Sequence, residues 1–377
     1  MKTFRSLVPI LLFLALPALL LAQRPVGGDL QVNADTHAVQ RFPHVATNRS
    51  GGLALTQVSA NPGDGHSLHA TRFNADGTAA TGEILISDQA LEREANSAVA
   101  LMDDGSFVVV FPAMDGSIPS LMARWYTPEG VQDRADVVVT HDQSPDFSIS
   151  TKGDGWGVVA WEGQTPSAWF RVLDPGHNPG PETLVDPAGT DPVVAVGPQG
   201  GFVMAWRHSR IVARRFTALG APSGRQFVVD AGNSGAGTGT GNALHIGKEE
   251  DGDFLILWGP GPTVFGRRFK ADATPIGGLI RAQAGAGYDA AIGGQGNFVL
   301  VWEAPDPSPA TGTNVFARRF KSNGAPLGPQ VRVNEHVKGV QAFPRVGIGA
   351  DGGFTVVWQS RPDPNTSDVF ARLFERK

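Results

Sequence analysis

The chain contains no cysteine, which excludes a disulfide framework, a zinc-thiolate site, a cysteine nucleophile and a bacterial lipoprotein anchor. It has no GxSxG elbow, no HExxH and no GxxxxGK[ST] loop, so the common hydrolase, metalloprotease and nucleotide-binding signatures are missing. It also lacks an excess of positive charge: the formal net charge is -5, against the basic stripe that a nucleic-acid binder needs. No stretch sustains a helical period; DQALEREAN (88–96) comes nearest and is short. What the chain has in quantity is glycine and proline, 48 and 28 residues, beside a hydrophobic content of 41%. That combination describes a turn-dense folded protein and not a disordered one.

The one long apolar run stands at the start. Lys2 and Arg5 precede LVPILLFLALPALLLA (7–22), a basic segment followed by an apolar core that ends in a small residue, as in a secretory signal peptide. The reading is a leader over 1–22 and a single domain over 23–377, secreted or periplasmic, with no membrane span after cleavage. A membrane anchor is the alternative, for which the run is short.

From residue 51 onward one pattern recurs: a glycine turn, then a mostly apolar strand closing on an aromatic. The copies are GGLALTQ (51–57), GSFVVVF (105–111), GWGVVAW (155–161), GGFVMAW (200–206), GDFLILW (252–258), GNFVLVW (296–302) and GGFTVVW (352–358), with closing positions 44 to 56 residues apart. Each is preceded by a short strand pattern such as PHVAT or PRVGI. Each is followed by an arginine-bearing one such as FARRFKSNG (316–324), and all but the last by a further one such as VRVN (331–334). In GGFVMAW both parities are apolar, Phe202, Met204 and Trp206 on one side and Val203 and Ala205 on the other; such a strand must be covered on both faces. Four short strands per unit, stacked between like units, predict an all-β fold: a seven-bladed β-propeller of four-stranded antiparallel blades. The last copy lacks its fourth strand, and GDLQVN (28–33) matches GPQVRVN (328–334). The expected ring is therefore closed by an N-terminal strand completing the last blade.

The recurring tryptophans read as packing between units. The recurring arginines, Arg72, Arg124, Arg171, Arg214, Arg215, Arg267, Arg268, Arg318, Arg319 and Arg372, read as cations stacked on tryptophan and paired with carboxylates. The pair His66 and His69, without a glutamate partner, is read as no metal site. The run GAGTGTG (235–241) precedes no helix and is read as a loop. No cofactor is expected; calcium held by NPGDG (61–65) or PDPNTSD (362–368) is the alternative.

The unit, best seen in FARRFKSNGAPLGPQVRVN (316–334), resembles a degenerate β-propeller repeat of exported bacterial proteins, with Gly-Gly-Phe-x-Val-x-Trp, Phe-Ala-x-Arg-Phe and Gly-x-Pro-x-Gly elements. The resemblance covers essentially all of 23–377 and implies fold and export but no activity. Gln57 departs from the pattern in the aromatic place.

Loops after the aromatic position and between units vary in length, while the other two sets are short and alike. In a four-stranded meander the variable sets share one face, the expected contact face. The ligand-binding candidates there are Arg41, Glu92, Arg93, Glu94, Asp142, Asp146, Arg207, His208, Arg210 and His336. The function expected is a monomeric, non-enzymatic recognition module for a surface glycan or protein. A hydrolase or lyase with a site at the channel mouth, marked by carboxylates or a His–carboxylate pair meeting there, and a structural or assembly protein are the alternatives.

Overall fold

The computed structural model describes residues 23–375 apart from 35, 37, 38, 62–64, 91–96, 143–145, 231–242, 260, 286, 306–311 and 364. The segment 1–22 expected to be a leader, the loop candidates Glu92, Arg93 and Glu94, the run 235–241 and part of 61–65 lie outside the described residues. Among the described residues there are 28 strands and no helix, and none could cross a membrane as an apolar helix.

Glycine turns dictate the local geometry. Gly105, Gly252, Gly324 and Gly352 all have φ between +81° and +91°, a region that costs a side chain and not glycine. The Asp or Asn before each points back into the turn, as Asp104 does in accepting Ser106 N at 2.8 Å. Between these turns the strands pair antiparallel in fours. Four units are separate sheets; three more are joined into a twelve-stranded sheet by the single parallel bridges Thr313–Val340 and Val39–Ser367. Cross-strand rings fasten the second and third strands of the units. Phe107–Tyr126, Phe202–Phe216, Phe254–Phe269, Phe298–Phe320 and Phe354–Phe374 stack with centroids 4.4 to 5.2 Å apart.

The core lies between the units. Phe202, Met204 and Trp206 pack on the unit before, while Val203 and Ala205 pack on the unit after, so both faces of the strand are covered. Phe111, Trp161, Trp206, Trp258, Trp302 and Trp358 each belong to the cluster shared with the preceding unit, which is a packing role. Gln57, at the same place in the first unit, is buried and donates from Nε2 to Glu83 at 2.8 Å. The arginines do stack on rings, but on phenylalanine: Arg124 over Phe111, Arg214 over Phe216, Arg318 over Phe320 and Arg319 over Phe354. The tryptophan faces are already taken up in the interfaces between units, which corrects the expectation of tryptophan partners. The heads pair with carboxylates, as Arg124 with Asp136 at 2.6 Å, or with backbone carbonyls, as Arg171 with Val139.

Strand Pro25–Gln31 pairs antiparallel with Thr366–Phe374, Gln31 facing Phe370. Asn33 accepts Val369 N at 2.8 Å, as Asn334 accepts Val315 N at 2.8 Å in the preceding unit. A seventh core cluster joins Val357, Val369 and Ala371 of the last unit to Leu53, Leu55 and Phe73 of the first. The first strands of successive units touch one another, and Val340–Ile348 touches Val39–Thr47. Four-stranded antiparallel sheets packed face to face about a common cavity are a β-propeller architecture.

Candidate functional site at one end of the central cavity

At one end the first strands turn into the second through short glycine loops. A cavity of about 210 Å³ there is lined from one unit after another, from Thr47 and Asn48 to Ile348 and Gly349. Lys152 pairs there with Asp154 at 2.8 Å and Arg49 with Asp103 at 3.8 Å.

The other end, where the first strands begin, is chemically uneven. The residues opposite the position just before the closing aromatic are His44, Ala98, Ser148, Val193, His245, Asp289 and Arg345. Four of these, His245, Asp289, Arg345 and His44, are consecutive around the units and line a cavity of about 510 Å³ with Tyr288, Glu303 and Phe343.

Three first strands reach this level through a bulge at an X-Pro step, where the ladder register shifts. Phe42, Asp191 and Phe343 precede the prolines and have φ of +50°, +49° and +52°, a conformation costing of order 1–3 kcal/mol for a non-glycine residue. The strain is held across unit boundaries. Glu162 accepts Asp191 N at 2.9 Å, and Glu303 accepts the backbone N–H of Phe343; both glutamates directly follow a closing tryptophan. The result turns the Phe42 and Phe343 rings together, edge to face at 5.4 Å, with Phe343 43% exposed.

His245 Nδ1 lies 3.6 Å from Asp289 Oδ1, while Asp289 Oδ2 accepts Val346 N at 2.8 Å. Burial, reinforced by Arg345, lowers the pKa of His44 to about 3. Burial also lowers that of His245, with Asp289 opposing and Arg345 assisting. Both imidazoles are thus neutral at pH 7, and the Nε2 atom of each is shielded and without a hydrogen-bond partner among the described residues. Burial raises the Tyr288 phenol and the Glu303 carboxyl. Arg345 makes one hydrogen bond, from Nη1 to Pro344 O at 3.1 Å, and no ion pair among the described residues.

On the side of the third and fourth units, Asp146, Glu162 and Asp191 bring carboxylate oxygens within 4.8 Å of one another. Arg207 Nε stands 2.8 Å from Asp191 and supplies the counter-charge. Burial first, and repulsion by Asp191 second, raises the Asp146 pKa; for Glu162 burial again leads.

Of the sequence candidates, the structure brings Asp146 and Arg207 into this site. Arg41 lies on the bulged strand beside it. Asp142 accepts Gln164 N at 3.2 Å from the hairpin loop of the next unit. His208 lies 3.2 Å from Asp186, which also accepts Trp206 Nε1 at 2.7 Å, and Arg210 sits exposed at the same hairpin tip. His336 is 3.0 Å from Asp29, away from the cavity lining and beside the N-terminal strand. In 362–368, Asp363 caps its own turn by accepting Asn365 N and Thr366 N. Sequence reasoning missed His44, His245, Tyr288, Asp289, Phe343 and Arg345. One signal was present: QRFPHV (40–45) and QAFPRV (341–346) agree in frame, yet exchange His44 for Arg345.

No protein-family model matches the chain, and no curated protein does. The fold is similar to that of a polysaccharide lyase, Uly1, with TM-score 0.57, 9% identity, and 94% of this chain and 100% of that one covered. It is also similar to a protein of unknown function from Dyadobacter fermentans, with TM-score 0.55, 10% identity, and 94% and 99% covered.

Proposed function

We propose that the chain is an exported saccharide-recognition module, a member of the propeller-repeat group its units resemble. In this reading seven blades form a ring, the N-terminal strand completes the last blade, and sugar is held where the first strands begin, on the face of the variable loops. The pairing of Pro25–Gln31 with the final strand and the cluster joining last and first units support the closed ring. The basic, apolar start of the sequence supports export.

The observation that carries the binding assignment is the Phe42–Phe343 pair. Two strained backbones, one braced by Glu303, present apolar ring surface to solvent beside a half-buried group of imidazole, guanidinium and carboxylate. Packing alone gives no reason to hold a ring outward at that cost. An apolar platform flanked by a few placed hydrogen-bonding groups is what a sugar ring, apolar on its faces and polar at its edge, requires.

A glycan array probed with purified residues 23–377 tests this. Binding is expected, and Phe343→Ala is expected to weaken it roughly tenfold, the scale of a lost aromatic contact. An array without binders, or binding indifferent to Phe343→Ala, would overturn the assignment. The His245–Asp289 pair and the carboxyls of Asp146 and Glu162, whose pKa values burial raises, favour a second reading, cleavage of the bound polysaccharide. New reducing ends released from an array-positive polysaccharide would establish it.

A further inference from the structure

We propose that the saccharide taken by this pocket is anionic, with a carboxylate or sulfate group received by the Arg345 guanidinium. This rests on the reading of the pocket as a saccharide site.

Several arginines are matched by carboxylates, while Arg215, Arg318 and Arg319 donate to backbone carbonyls of another turn or unit. Arg124 forms a fork to Asp136, with Nε and Nη2 each at 2.6 Å from a carboxylate oxygen. Arg268 pairs with Glu249, Arg207 with Asp191 at 2.8 Å, and Arg372 with Glu335 at 2.6 Å. Arg345 is half-buried in the cavity wall with one bond to the carbonyl just before it, although a guanidinium has five N–H donors. Taking a cation partly out of water without a counter-charge is costly. Repeat packing does not demand it either, since Ala98 and Ser148 fill the equivalent place in other units.

The acids sharing the cavity are committed elsewhere. Asp289 accepts Val346 N and faces His245, and Glu303 accepts the N–H of Phe343. The two imidazoles beside Arg345 are uncharged, so neither repels the guanidinium. The mouth is also polarised. The carboxylates of Asp146, Glu162 and Asp191 gather on the third and fourth units, while the unpaired cation sits on the seventh. A ligand with an acidic group is thereby oriented, its charge toward Arg345 and away from the carboxylate cluster. At the opposite mouth Lys152 and Arg49 have acidic partners and Lys248 donates to Gly201 O at 3.4 Å, beside the carboxylates of Glu249 and Glu250 in the same lining.

The test uses oligomers of hexuronic acid on three backbones (galacturonan, alginate and glucuronan), their methyl esters and carboxyl-reduced forms, and a sulfated galactan with its desulfated counterpart, titrated calorimetrically. At least one anionic oligomer is expected to bind roughly tenfold to a hundredfold more tightly than its neutral form, the scale of a charge-assisted pair. Added salt should weaken it, Arg345→Gln should abolish the difference, and Arg345→Lys should restore part of it. The carboxylated and sulfated arms identify which group is read. Equal binding of charged and neutral forms, or a preference that survives Arg345→Gln, would overturn the proposal. Should Arg345→Gln not fold, the comparison on the unmodified chain decides. Neutral glycans bound with no gain from charge would leave the saccharide site standing and remove the acid; an array with no binders at all would remove both.

Discussion

His44 keeps an uncharged imidazole beside a guanidinium, and that has a thermodynamic consequence. In the unfolded chain the ring titrates near 6.5; in the fold its pKa is lowered to about 3. Between those values the unfolded state binds a proton that the folded state refuses, so stability falls as pH drops from about 6.5 toward 3 and is indifferent to this group above 6.5. His245 acts in the same direction. Asp146 and Glu162, whose pKa values are raised, act with the opposite sign at lower pH, which makes a variant the better readout than the parent profile. His44→Gln is expected to flatten the fall in Tm between pH 7 and pH 5, and parallel profiles for variant and parent would refute the assignment. At this scale the sequence was only half legible. The tryptophans read correctly as packing because they recur in nearly every unit. Arg41 was read as the end of a variable loop between units, whereas the strand Val39–Thr47 already includes it and the X-Pro bulge brings Phe42 and His44 to the site.

The element whose placement was plainest in the sequence is the strand Pro25–Gln31. The match of GDLQVN to GPQVRVN aligns Leu30 with Val331 and Asn33 with Asn334, and the paired strands put both members of each pair to the same use. The register shift between Val26 and Leu30 spans Gly27, whose φ is +75°. The strand is largely exposed, so its contribution is chiefly to cover the edge of the last sheet, through backbone bonds, Asn33 and the buried Val32. Deleting residues 23–34 is expected to lower Tm by several degrees, and a synthetic peptide of 23–34 added in trans should recover part of the loss. A thermal scan unchanged by the deletion would show that the edge needs no cover.

For the molecule as a whole, the question is whether the first unit is an end or a neighbour. In an open array the outer face of a terminal unit is wet, and trimming a side chain there costs little. In a closed ring that face is an interface like the rest. Leu55 lies on the face of the first unit that meets Val357, Val369 and Ala371, and it is as buried as Leu300 between the fifth and sixth units. Leu55→Ala and Leu300→Ala are therefore expected to destabilise to a similar degree, each by ~2–5 kcal/mol, the range for emptying a well-packed site of that size. Chemical denaturation of the two variants measures it. A cost below about 1 kcal/mol for Leu55→Ala alone, the ordinary scale for an exposed position, would open the ring at the junction of last and first units. The shared mouth that places Arg345 beside His44 would then be lost with it, because those two residues belong to the units on either side of that junction.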